Sequence, residues 1–276
     1  SPGPRHAEQV IAACEAGKRG VLCEKPFAES AEQAARIVAA ATATGVPILV
    51  GAMHTFDPGW RAATQRWGDL PEKAHTIRSS IVLPPNPRFE DFATEVVGRP
   101  PGLFPAPAGV EARARAVQSF IMGLTIHNLP LIRSLLPHSD DIAVREARHL
   151  GPMGYDIVLT VGGKLVELHA LMSQTWRPSW TLDLISDDHW VNTEFTPSYV
   201  QAGSATSTLF HRGGAVTLGP FDDNGYAGEW RTLGEIVRGE TPAPPLQPLI
   251  DDLSFALALA DAVADRIRTT VSEVPA

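Results

Sequence analysis

The chain has 276 residues, 44% hydrophobic and 20% charged, which is enough to bury one large core or two ordinary ones. Its net charge of −8, spread without clusters of Lys and Arg, argues against a nucleic-acid surface. No apolar run approaches the roughly 18–20 residues of a membrane span, and the start, 1–6, has neither the basic flank nor the apolar run of a secretion signal. The only cysteines, Cys14 and Cys23, lie in apolar stretches outside any C-x-x-C pair, as expected of buried, reduced thiols in a cytoplasmic protein.

In chain order, the first element is an amphipathic helix over 6–18, with Ala7, Val10, Ile11 and Cys14 on one face and Gly17 and Gly20 at its stop. A short apolar strand over 20–26 ends abruptly in charge. Ser30 opens a second helix, with Gln33 in the position of a weak capping box, and Gly45 closes it. Residues 46–51 form a second buried strand. Unbroken apolar strands alternating with helices predict a parallel sheet covered on both faces.

After Met53 the texture changes to alternating strands and frequent turns. Strands are predicted over 74–83, 142–148, 155–161, 164–172, 180–185, 189–195, 206–210 and 215–218, with a tight hairpin at Gly162–Gly163. Helices are predicted over 119–136, 226–238 and 249–268, and the proline-rich stretches 84–87, 100–107 and 241–248 read as loops. The fold class is therefore α/β followed by α+β: part of a parallel αβ sheet over 1–52, then a larger domain over 53–276 with an open, mostly antiparallel sheet flanked by helices. Two strands and two helices are too few for a domain of their own.

The segment Glu24-Lys25-Pro26 puts a carboxylate, an ammonium and a ring-locked residue where a buried parallel strand emerges. Ligands bind at that edge in open α/β sheets, and partial burial lowers a lysine toward neutrality, where it can exchange protons. Spacing alone fits a solvated surface turn at least as well. His127 likewise reads either as a catalytic group or as a satisfied core histidine in an apolar helix. No H-x-H or H-E-x-x-H pair suggests zinc, and no G-x-S-x-G elbow suggests a serine hydrolase.

The stretch Pro2-x-x-x-His6-Ala7-Glu8, then Ala16-Gly17-x-x-Gly20-Val21-Leu22-Cys23-Glu24-Lys25-Pro26, resembles the family of glucose–fructose oxidoreductase and inositol 2-dehydrogenase (Gfo/Idh/MocA). Phe56-Asp57-Pro58 and the run 123–132 around His127 continue the likeness. The resemblance implies an NAD- or NADP-dependent dehydrogenase acting on a secondary alcohol of a sugar, cyclitol or related polyol. It implies Lys25 and His127 as catalytic residues, and Pro2, His6, Glu24 and Pro26 beside the cofactor. It also implies a homodimer or homotetramer, with neither a nucleic acid nor a membrane as partner.

His54, Arg88, Asn128, Trp176 and Tyr226 have chemistry suited to a polyol and are the candidate substrate contacts, with ordinary packing as the competing reading. Two departures stand out. Gly123 and Asn128 occupy positions where the family commonly has carboxylates beside the histidine, which should lower its basicity. Glu90, Asp91 and Glu95 are candidate substitutes, or a solvated loop. No Gly-x-Gly-x-x-Gly turn occurs in the 276 residues, so the family's order predicts about 70 further residues upstream, the first half of a dinucleotide fold. Two alternatives remain: a relative that uses bound NAD in glycoside cleavage or epimerisation, and a non-redox binding or structural homologue.

Overall fold

In the computed structural model, which describes residues 3–98 and 106–272, the N-terminal segment forms α1 (His6–Glu15), β1 (Val21–Glu24), α2 (Ala31–Thr44) and β2 (Ile48–Gly51). The Ser30 side chain accepts the Gln33 N–H at the start of α2, and Gly45 ends it in the left-handed conformation at φ 70°. β1 and β2 pair in parallel, with Glu24 opposite Gly51. On one face α1 and α2 supply Val10, Cys14, Ile37 and Ala41 to a core around Cys23 and Ile48.

Next come α3 (Met53–Phe56), α4 (Pro58–Thr64), α5 (Leu70–Lys73), β3 (Thr76–Leu83), α6 (Pro87–Ala93), α7 (Val110–Gly123) and α8 (Leu129–Ser134). They are followed by β4 (Ala143–His149), β5 (Gly154–Val161), β6 (Lys164–Met172), β7 (Ser179–Ile185), β8 (His189–Glu194), β9 (Thr206–His211) and β10 (Gly214–Leu218). The chain continues into α9 (Gly225–Arg238) and α10 (Gln247–Ser272). The strands form one sheet in the order β10-β9-β8-β7-β3-β6-β5-β4. Its pairs are antiparallel except β3 with β6. Gly162 and Gly163 both have positive φ, as the hairpin between β5 and β6 requires.

One sheet face buries Ile77, Ile81, Leu159, Leu168, Trp180 and Leu182 in a core shared with α7, α8 and α10. On the other face, Arg78 pairs with Glu167 at 2.5 Å and His169 with Asp156. The chain is thus a small parallel sheet followed by a larger, mostly antiparallel one.

The helix expected over 119–136 is three pieces: α7 ends at Gly123, a 3-10 turn spans Thr125–His127, and α8 restarts at Leu129. Pro130 explains the break, since its ring would collide with the carbonyl four residues back and it offers no N–H. The short helices α3 to α6 were not legible, because four to seven residues carry too little periodicity. The loop expected over 100–107 falls mostly outside the described residues.

Candidate active site

Two parts of the fold meet at the site. β1 delivers Glu24 and Lys25 to the carboxyl edge of the parallel pair, and the Lys25–Pro26 peptide is cis. His6, buried at the start of α1, donates from Nδ1 to the Pro26 carbonyl at 2.8 Å, which anchors the turn. Lys25 Nζ donates to the Gly123 carbonyl at 2.7 Å. The backbone at Gly123 thus gives the ammonium an oxygen partner where the family commonly has a carboxylate side chain. Burial pulls the Lys25 amine down to about 8, partly countered by the Glu24 carboxylate.

The 3-10 turn places His127 among buried groups. Its Nδ1 lies 3.1 Å from Met53 Sδ, and its ring meets Trp180 edge-on at 5.3 Å. A thioether can only accept, so Nδ1 carries the hydrogen and Nε2 keeps its lone pair. Burial drives His127 well below the usual imidazole value, and the charges of Lys25 and His54 add to this. The imidazole is therefore neutral at neutral pH. The groups acting on it, Lys25 and His54, include no carboxylate.

Asn128 and His54 were expected among the substrate contacts. The structure instead buries both in a hydrogen-bonded cluster beneath His127. Asn128 is 0% exposed: its Oδ1 accepts from His54 Nδ1 at 2.7 Å and Trp180 Nε1 at 3.2 Å, and its Nδ2 donates to Ser79 at 2.9 Å. His54 stacks on Phe195 at 3.9 Å, and burial pulls it down to about 3. With every polar atom of its amide used internally, Asn128 has little left to offer a substrate.

Arg88 donates to the Thr175 and Trp176 carbonyls at 2.6 and 3.0 Å, so α6 is tied to the β6–β7 loop. Trp176 itself is 83% exposed. A cleft of about 620 Å3 lies beside Arg88, between α6 and residues 199–202. Tyr226 lies in the first turn of α9, and its hydroxyl accepts the Tyr199 N–H at 3.3 Å. Pro2 lies outside the described residues.

A second cavity, of about 410 Å3, is lined by Lys25, Pro26, Val50, Ala52, Thr55 and Ile126 with apolar residues of α9 and α10. Sequence reasoning missed Met53, Ser79, Tyr199 and Glu229. Of these only Glu229 left a signal: it falls on the helical face that carries Leu233 and Ile236.

The site thus sets a parallel αβ edge bearing Lys25 against a sheet-backed unit bearing a neutral His127. Residues 1–52 match the model of the oxidoreductase family with an NAD-binding Rossmann fold. That segment is thus similar to the Gfo/Idh/MocA family.

Inositol 2-dehydrogenase 3 from Saccharopolyspora erythraea is 52% identical over 60 residues, covering 21% of this chain and 18% of that protein. Inositol 2-dehydrogenase/D-chiro-inositol 3-dehydrogenase from Shouchella clausii is 51% identical over 59 residues, covering 21% and 17%. The match thus spans under a fifth of these curated relatives. Across nearly the whole chain the fold matches UDP-N-acetylglucosamine 3-dehydrogenase from Acidithiobacillus ferrooxidans, with TM-score 0.71, 18% identity, and 97% of this chain and 77% of that one covered. It also matches a 3-ketoreductase from Actinomadura kijaniata in complex with TDP-benzene and NADP, with TM-score 0.64, 18% identity, and 95% and 74% covered. Among the described residues no helix is long and apolar enough to cross a membrane.

Proposed function

We propose that the protein is an NAD(P)-dependent oxidoreductase moving hydride between nicotinamide and a secondary alcohol of a sugar, cyclitol or related polyol. The observation that carries this is the pairing of Lys25, at the carboxyl end of a parallel strand within the NAD-binding family segment, with a neutral His127 held beside it. The inositol 2-dehydrogenases and the ketoreductase named above favour the same substrate class.

The residues present fit the nicotinamide end of a dinucleotide. A Cβ at Gly51 would sit 3.2 Å from Glu24 Oε2, so only glycine lets that carboxylate lie against β2, and the cavity of about 410 Å3 opens beside Lys25, Pro26, Val50 and Ala52 at the strand ends. When bound, nicotinamide supplies the hydride acceptor or donor. The chain's own residues handle the proton. Lys25, as an ammonium, holds the substrate oxygen and favours its ionised form. Nε2 of His127 takes the hydroxyl proton as the carbonyl forms, or returns it in reduction. The apolar cavity wall keeps competing water from the reacting carbon. A homo-oligomer built on the open sheet face belongs to the same proposal.

The test is titration with NADH and NADPH, followed by rates with a polyol panel. Lys25→Met and His127→Ala should each lower kcat/KM by about 10²-fold or more. In the wild type kcat/KM should fall as pH rises through about 8, where Lys25 loses its charge, and Lys25→Arg should remove that limb. Absence of nicotinamide binding and of alcohol oxidation would sink the proposal.

A further inference from the structure

α9 runs antiparallel to the small sheet. A Cβ on Gly20, just before β1, would meet Val237 and Leu233 near the helix end. At the other end, Asn224 caps α9 by accepting the Ala227 N–H at 2.9 Å, and Gly225 lies against the Met53 carbonyl just past β2. The N-terminal end of α9 therefore stands at the same strand edge as Lys25.

One turn into that helix is Glu229, only 3% exposed, and its Oε2 has no hydrogen-bond partner. Burying a carboxyl without partners is costly. The charged group acting on Glu229 is another acid, Glu24 at the end of β1. Neither carboxylate forms an ion pair with Lys or Arg among the described residues, and the Lys25 ammonium is already bonded to Gly123. The hydroxyls of Tyr226 and Tyr199 complete the neighbourhood: Tyr226 feels Glu24, Glu229 and Tyr199, while Tyr199 feels Glu24 and Glu90. Tyr199 is also the one non-glycine residue with positive φ, at 70°, among those described, a strain that tends to gather at functional sites.

We propose that Glu229, supported by Glu24, Tyr199 and Tyr226, binds an ammonium group of the substrate, so that the preferred ligand is an amino sugar or aminocyclitol rather than its neutral counterpart. A cation arriving between the two acids supplies the missing partner for Oε2 and stabilises Glu229 as a carboxylate beside Glu24, whereas a hydroxyl brings no charge to do so. The helix end favours the ionised carboxylate as well. The inference deepens the dehydrogenase reading and takes its substrate class from it.

Binding of matched pairs (glucosamine and glucose, galactosamine and galactose, an inosamine and myo-inositol) to the full chain by calorimetry without nicotinamide tests the inference. At least one amine should bind about 10-fold more tightly than its hydroxyl partner, and Glu229→Gln should bring the two within about 2-fold. A second readout needs no variant. Burial holds the free Glu229 carboxyl up at about 8, with Glu24 adding to the rise. At about pH 6, where the amine is charged and Glu229 is protonated, amine binding should release close to one proton. That release appears as a buffer-dependent heat which the neutral sugars lack. Equal affinity within every pair, a preference that survives Glu229→Gln, or no proton release would overturn the inference. An amine preference without any alcohol oxidation would keep this site and remove the redox reading. Oxidation without an amine preference would do the reverse.

Discussion

At the scale of single residues, Asn128 is the position on which the site rests most heavily. It links three elements at once: α3 through His54, β3 through Ser79 and β7 through Trp180. Asn128→Ala leaves three buried groups with a lost partner, and each such loss costs about 1–3 kcal/mol without strict additivity. Destabilisation of about 3–4 kcal/mol is therefore expected in urea unfolding, and a loss under about 1 kcal/mol would show that the cluster relaxes freely. His54 is held neutral by burial throughout the physiological range, so this loss should be independent of pH between about 5 and 9. Lys25 and His127 could be singled out because a recognisable pattern surrounds them in sequence. The Asn128 cluster was not, since it depends on residues 49 and 74 positions away meeting in space. Asn128 looked like a substrate contact because its neighbour is His127, yet its amide points into the core.

At the scale of elements, caps and turns read well: Ser30, Gly45 and the Gly162–Gly163 hairpin each sit where local chemistry places them. Strand pairing did not read, because parallel β3–β6 contact follows from packing over some 90 residues and leaves no local mark. The approach of α9 to α3 is of the same long-range kind, and one glycine permits it. A Cβ on Gly225 would lie 2.1 Å from the Met53 carbonyl oxygen, against backbone that has no rotamer to give way. Gly225→Ala must therefore push α9 off α3, an overpacking cost of about 3 kcal/mol or more. The shift would also carry Tyr226 and Glu229 away from Glu24. Lower stability together with loss of ligand binding is the expected pair of results. Gly234→Ala is the control, because its new Cβ would meet only the movable end of Arg238. Equal behaviour of the two variants would show that α9 does not depend on this contact.

At the scale of the molecule, the boundary at residue 52 separates two kinds of sheet but not two independent cores. The faces of the small sheet are closed by helices from the far end of the chain. Leu253 of α10 joins Val10, Cys14, Cys23 and Ile37 on one side. Leu233 and Ile236 of α9 cover Leu49 on the other. The next turns of α10 carry Phe255, Leu259, Val263 and Ile267 into the large core. Melting the N-terminal segment alone would bare Leu253 and the inner face of α9 while the rest stayed folded, so the two cores should unfold together. The chain carries its own reporters for this. Both cysteines lie in the small core, and all six tryptophans lie beyond residue 52. Cys14 and Cys23 labelling should rise through urea at the same midpoint at which tryptophan emission shifts. Leu253→Ala should move both midpoints together by an amount worth about 2–4 kcal/mol. Labelling that runs ahead of the tryptophan change would mean that the N-terminal segment opens by itself, and α10 would then be a lid over that segment rather than its anchor.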